Sequence, residues 1–133
     1  EAAIQQARQT IATAIHASPD EIIFTSGATE ANNLAIKGIA EAYFSQGRHI
    51  VTVATEHQAI LDPCNYLATL GFEVTVLPVQ ANGLLDLDVL EAALRPDTLL
   101  VSVMAANNEI GVLQPLAEIG ALCHQHRILF HTD

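Results

Sequence analysis

The run Thr98-Leu-Leu-Val-Ser-Val-Met104 has apolar side chains on both faces of an extended chain, and no other stretch constrains the fold as strongly. A strand with one wet face alternates polar and apolar residues. A strand covered on both faces does not. Such a strand belongs in the middle of a parallel sheet, with helices packed above and below it.

The rest of the chain supplies those helices and the neighbouring strands. Ile4, Ala7, Ile11, Ala14 and Ile15 fall at helical spacing within residues 1–17, and Ser18-Pro19-Asp20 ends that helix. Ile22-Ile23-Phe24-Thr25 reads as a short buried strand. A helix then runs to about Phe44, and His49–Ala54 is the next strand. A further helix is expected from about Ile60 to Leu70, with Pro63 tolerable only in its first turn. Glu73–Val79 is an alternating strand, Asn82-Gly83 a turn, and Leu87–Leu94 a short helix. After the central strand comes the polar loop Ala105–Gly111, a helix from Pro115 to about His126, and the strand Ile128–Phe130. Regular alternation of this kind implies an α/β fold, a mostly parallel sheet with helices on both faces.

At 133 residues the chain is one domain's worth, long enough to bury roughly two-thirds of its extended surface. A net charge of -10, with five Lys and Arg residues in all, argues against a nucleic-acid or anionic-membrane partner. No apolar run reaches the length of a membrane span, and no signal-peptide pattern opens the chain. Cys64 and Cys123 fall in expected helices without metal-ligand spacing, which suits buried, reduced thiols in the cytoplasm. His124 and His126 point to different faces of one helix and make a poor metal pair, so no metal site is expected. The chain starts inside a helical pattern at Glu1 and stops at Asp133 just after a strand, so a larger protein is expected around it.

Polar clusters follow the strand ends, where open α/β sheets collect ligands. Phe24 to Gly38 reads as a strand end, a tight small-residue loop and the first turns of a helix. Free N–H groups at such a helix opening, helped by the dipole and by the Thr29 hydroxyl, make a phosphate seat. The same residues also suit an ordinary capped loop with no ligand. His57 is either a functional group or a solvated loop histidine, Asn107 and Asn108 either ligands or turn formers, and Asp133 either a site carboxylate or an exposed one.

Four runs together carry a family likeness: Thr25-Ser-Gly-Ala-Thr-Glu30, Thr55-Glu-His57, Asn107-Asn-Glu-Ile-Gly111 and His131-Thr-Asp133. With their spacings, they resemble the NifS/IscS-type cysteine desulfurases, fold-type I enzymes of the class V aminotransferase family that depend on pyridoxal 5'-phosphate (PLP). The resemblance implies that Ala28 and Thr29 bind the cofactor phosphate. His57 would stack on the pyridine ring and move protons on the substrate, so it is the implied catalytic residue. Asn108 would bond the ring hydroxyl, and Asp133 would pair with the pyridine nitrogen and keep it protonated.

The implied reaction converts L-cysteine to L-alanine and passes sulfur as a persulfide to iron–sulfur scaffold or thiolation proteins. A homodimer is implied for the complete enzyme. Residues 1–133 would then be part of the large cofactor-binding domain. The family's Schiff-base lysine, its persulfide cysteine on a mobile loop and its small domain all lie beyond the aspartate. Neither Cys64 nor Cys123 matches that cysteine, and Lys37, the single lysine, is expected to snorkel to solvent. This stretch alone is therefore expected to be inactive. The alternative is a non-catalytic α/β module that keeps the fold and acts through binding.

Overall fold

β-branched and leucine-rich runs form the sheet, and every strand in it is parallel. The computed structural model describes residues 1–133. In chain order it contains α1 (Ala2–Ala14), a 3-10 turn (Pro19–Glu21), α2 (Ala28–Ala42), β1 (His49–Val53), α3 (Gln58–Thr69) and β2 (Glu73–Leu77). These are followed by α4 (Leu87–Ala93), β3 (Thr98–Ser102), α5 (Leu116–Gln125) and β4 (Leu129–His131). The four strands lie in the order β2-β1-β3-β4. β1 and β3, the two central strands, are buried at every residue.

Successive side chains of the central strands separate the core into two layers. Ile50 and its partner Leu100 join Ile36 and Ala40 of α2 and Ile60 and Leu67 of α3 on one face. Val51 and Val101 join Leu90 of α4 and Ile119 and Cys123 of α5 on the other. Each fully buried Leu or Ile contributes about 1.5–3 kcal/mol. The expectation of a parallel sheet covered on both faces is met.

The order also contains a reversal. From β1 the chain crosses through α3 to β2 on one side, then through α4 to β3 on the other. Right-handed crossovers in opposite directions place their helices on opposite faces. The carboxyl ends of β1 and β3 therefore diverge at a switch point, where such sheets open a crevice.

Several local expectations are corrected. Residues 22–25 form no strand: Ile22 is buried, but Ile23 and Phe24 are exposed and the segment pairs with no sheet edge. Apolar, β-branched composition makes an extended chain, but a strand also needs a partner's N–H and C=O groups. The apolar stripe of α1 is not packed either. Ile4, Ile11 and Ile15 are exposed, and the helix is anchored by buried Ala12 and by Arg8. The Arg8 guanidinium lies 5.0 Å from the Phe24 ring centroid and donates to Ile22 O.

α3 begins two residues earlier than expected because His57 caps it, its Nδ1 accepting the Ala59 N–H at 3.0 Å. Pro63 then falls in the second turn rather than the first. Burial of its ring offsets the hydrogen bond it cannot donate. Lys37 is half-buried between α2 and α3, its ammonium 4.6 Å from the ring centroid of the exposed Tyr66.

Candidate functional site

The switch point holds a cleft of about 380 Å³ between the loops that follow β1 and β3. Its wall includes Thr55, Glu56 and His57 from the first loop and Asn107, Asn108 and Glu109 from the second. A larger hollow of about 520 Å³ lies at the opposite sheet edge, but its Arg95 guanidinium is already held by Glu73 at 2.6 Å and Asp97 at 2.8 Å.

Side chains brace the two loops against each other. Asn107 Nδ2 donates to Thr55 O at 2.6 Å, while its Oδ1 accepts the N–H groups of Glu109 and Ile110 at 2.9 Å each. Asn107 is thus a turn former that also bridges the loops. The neighbouring Asn108 is exposed, and its side chain makes no hydrogen bond within the chain. A second brace runs from Met104 N–H to Glu56 Oε1 at 2.6 Å.

Below them, the turn at Gly83 supports the second loop through Gln114. The Gln114 amide donates to Gly83 O and accepts Leu85 N–H, both at 2.9 Å. Gly83 has φ +83, and a Cβ there would meet Val112 Cγ2 at 2.7 Å.

His57 is exposed at the rim. With Nδ1 accepting the Ala59 N–H, the neutral ring carries its proton on Nε2, which leaves an N–H donor free. Asp133 lies two residues past β4; its backbone O accepts Ala105 N–H at 3.1 Å, and its side chain is half-buried. Its charge reaches the Glu56 carboxyl and helps raise that group's pKa.

Ala28 and Thr29 do not line this cleft. They open α2, whose chain direction puts its first turn on the same sheet edge. The backbone N–H groups of both donate to nothing within the chain, and the Thr29 hydroxyl is likewise free. The Glu30 carboxylate is turned back to Ser26: it accepts Ser26 N–H at 2.8 Å and Ser26 Oγ–H at 2.5 Å. Those two bonds hold the Glu30 carboxyl below the usual range.

The structure therefore brings His57 and Asn108 together, sets Asp133 alongside, and leaves Ala28 and Thr29 on the same edge but outside the cleft. Glu56 was not singled out from the sequence as part of a site, and for Asn107 the sequence left ligand and turn former open. Nothing in a run of polar loop residues tells which one turns inward.

The aminotransferase class-V family model matches residues 1–133. This chain belongs to the class-V aminotransferase family. Its relatives within that family include cysteine desulfurase IscS of Ehrlichia chaffeensis, 57% identical over all of this chain and 32% of the relative's length. Human cysteine desulfurase is 59% identical over all of this chain and 29% of its own. The chain spans about a third of the length of these curated relatives.

Among solved structures, SspA in complex with cysteine matches with a TM-score of 0.93 at 45% identity, over 98% of this chain and 38% of that one. A NifS-like protein matches with the same TM-score at 39% identity, over 98% and 36%. The resemblance to NifS/IscS-type cysteine desulfurases holds for both sequence and fold.

The donor set of this class-V aminotransferase chain fits PLP. Unused N–H groups and a hydroxyl open α2, a free carboxamide and an imidazole N–H stand at the cleft, and a carboxylate lies beside it. Both thiols are unsuited to nucleophilic work. Cys64 and Cys123 are buried, and burial pushes each pKa up to about 11.

Proposed function

We propose that this chain forms the cofactor-binding part of a PLP-dependent cysteine desulfurase, which converts L-cysteine to L-alanine and hands the sulfur on as a persulfide. The observation that carries the reading is the cleft at the β1/β3 switch point. Two loops braced by Asn107 and Glu56 hold His57 and Asn108 there, with Asp133 alongside.

Each residue has a physical task in this reading. The first turn of α2 receives a phosphate through the N–H groups and hydroxyl of Ala28 and Thr29. Asn108 donates to the ring hydroxyl. His57 would be the residue against the ring, its orientation fixed by the Ala59 N–H, with Nε2 as the atom that would hold or move a substrate proton. The Asp133 carboxylate holds a proton on the ring nitrogen. When bound, PLP supplies an electron sink for the pair released at the substrate Cα.

Residues 1–133 are then part of a large domain. The Schiff-base lysine, the persulfide cysteine, sulfur-acceptor contacts and a homodimer interface belong to the complete enzyme. The bacterial IscS relative supports a cytoplasmic enzyme. A mitochondrial relative from Arthroderma benhamiae marks the other compartment in which such an enzyme works.

The test is a PLP titration of the chain followed by visible circular dichroism, then borohydride reduction and peptide mapping. The expected result is a saturable signal that weakens in Asp133→Asn and in Thr29→Val, with no adduct on Lys37 and no alanine formed from cysteine. Absence of a saturable signal would overturn the reading of these residues as a cradle and favour a non-catalytic module. An adduct on Lys37 would overturn its exclusion from the chemistry.

A further inference from the structure

Glu56 is a buried acid with too few partners for a charge. The residue is 6% exposed, in a loop whose neighbour His57 is open to solvent. Its N–H donates to Val53 O at 3.3 Å, so the chain turns straight off β1 and carries this side chain inward. Oε1 accepts Met104 N–H, and Oε2 has no hydrogen-bond partner at all.

No cation offsets it. The charge that acts on it is the Asp133 carboxylate after β4; the Cys64 thiol on α3 is itself pushed up by Glu56, and His57 beside it already spends Nδ1 on the cap of that helix. An ionised carboxylate here would hold its charge on one donor, with a second carboxylate close by. A neutral carboxyl keeps the acceptor role that Oε1 already fills and leaves one O–H without an acceptor, a smaller cost than an unpaired buried charge. The electrostatics agree: burial, with a smaller push from Asp133, raises the pKa to about 7 against the opposing Met104 hydrogen bond.

We propose that Glu56 is a positioning residue of this crevice, working as a neutral carboxyl that latches the loop bearing His57 to the end of β3. Oε1 is the carbonyl acceptor and Oε2 carries the proton. Two consequences follow. The loop's register against β3 is held by a side chain and not only by strand pairing. A neutral Glu56 also places no second carboxylate charge next to Asp133, so the two do not share the attraction for a cationic ring nitrogen. The latch stands on its own geometry; its value to a ligand rests on the PLP reading.

The test compares Glu56→Gln and Glu56→Ala in the full 133-residue chain. Gln preserves the acceptor and replaces O–H by N–H, whereas it cannot mimic a carboxylate. Amide exchange at Met104 reads the latch without any cofactor. Glu56→Ala is expected to lower its protection about tenfold, and Glu56→Gln to restore it to within about twofold of the parent chain. PLP titration is expected to follow the same order, with the affinity change between about pH 6 and pH 8 reduced in Glu56→Gln.

If Glu56→Gln loses Met104 protection while Leu100 keeps its own, the neutral latch is wrong, whether or not Glu56→Ala folds. Unchanged Met104 protection in a folded Glu56→Ala is equally fatal. If the parent chain fails to bind PLP, the cofactor reading falls, and Met104 exchange still decides the latch.

Discussion

Asn107 Nδ2 and Thr55 O meet at 2.6 Å across the divergence of β1 and β3, while the adjacent Asn108 side chain bonds to nothing in the chain. Two consecutive asparagines therefore do different jobs. Asn107→Ala removes three hydrogen bonds and is expected to cost about 1–3 kcal/mol of stability. Asn108→Ala is expected to leave the unfolding midpoint within about 0.5 kcal/mol and to weaken PLP binding instead. Urea unfolding and cofactor titration of both variants check the division. Equal losses of stability would merge the two roles.

Glu56 makes folding pH-dependent. Its pKa rises from 4.5 to about 7 on folding, so between those values the folded chain keeps a proton that the unfolded chain has released. Stability from this group is full below about pH 4.5 and is lost as pH rises through about 7, by roughly 3 kcal/mol in total. Urea unfolding at pH 5 and pH 8 should show the slope as the difference between the parent chain and Glu56→Gln. No difference between them would remove Glu56 as its source.

His49 acts in the opposite direction. It is fully buried at the start of β1, with Nδ1 2.7 Å from Thr98 Oγ1 and Nε2 2.8 Å from Thr75 Oγ1. Burial, helped by the charge of Arg95, holds its pKa below the ordinary 6.5. As pH falls below 6.5 the unfolded chain takes up a proton that the folded ring refuses, so stability falls with acid. An NMR titration of the imidazole C2–H signals should find His49 titrating below 6.5. A midpoint at or above that value would contradict its neutral, two-threonine setting.

Gly47 is a site of close backbone approach. A Cβ there would lie 2.2 Å from Asp97 O, the carbonyl that also accepts His49 N–H at 3.2 Å. Gly47→Ala is expected to cost about 1–3 kcal/mol, since backbone and not a flexible side chain must yield. Thermal unfolding reads this directly, with Gly38→Ala as the comparison because a Cβ at Gly38 meets nothing within 4 Å.

Residue order by itself determined the layered architecture. The unbroken apolar run at Thr98–Met104 marks a central strand because only a doubly covered position stabilises it, and alternating helix and strand patterns leave a parallel sheet as the way to bury both. Ala28, Thr29, His57, the pair Asn107-Asn108 and Asp133 were legible as candidates because each follows a strand or opens a helix, so chain order alone puts them on one edge; the choice of Asn108 within the pair came from the family resemblance.

Tertiary structure decided the rest. Whether Ile22–Thr25 pairs, whether the stripe of α1 is covered, and which acid of the loop after β1 turns inward all depend on surfaces contributed by residues far away in the chain. Glu56 shows the reason most clearly. Its burial, its bond to Met104 and the nearby charge of Asp133 join positions 48 and 77 residues apart in sequence, and burial and charge act through space.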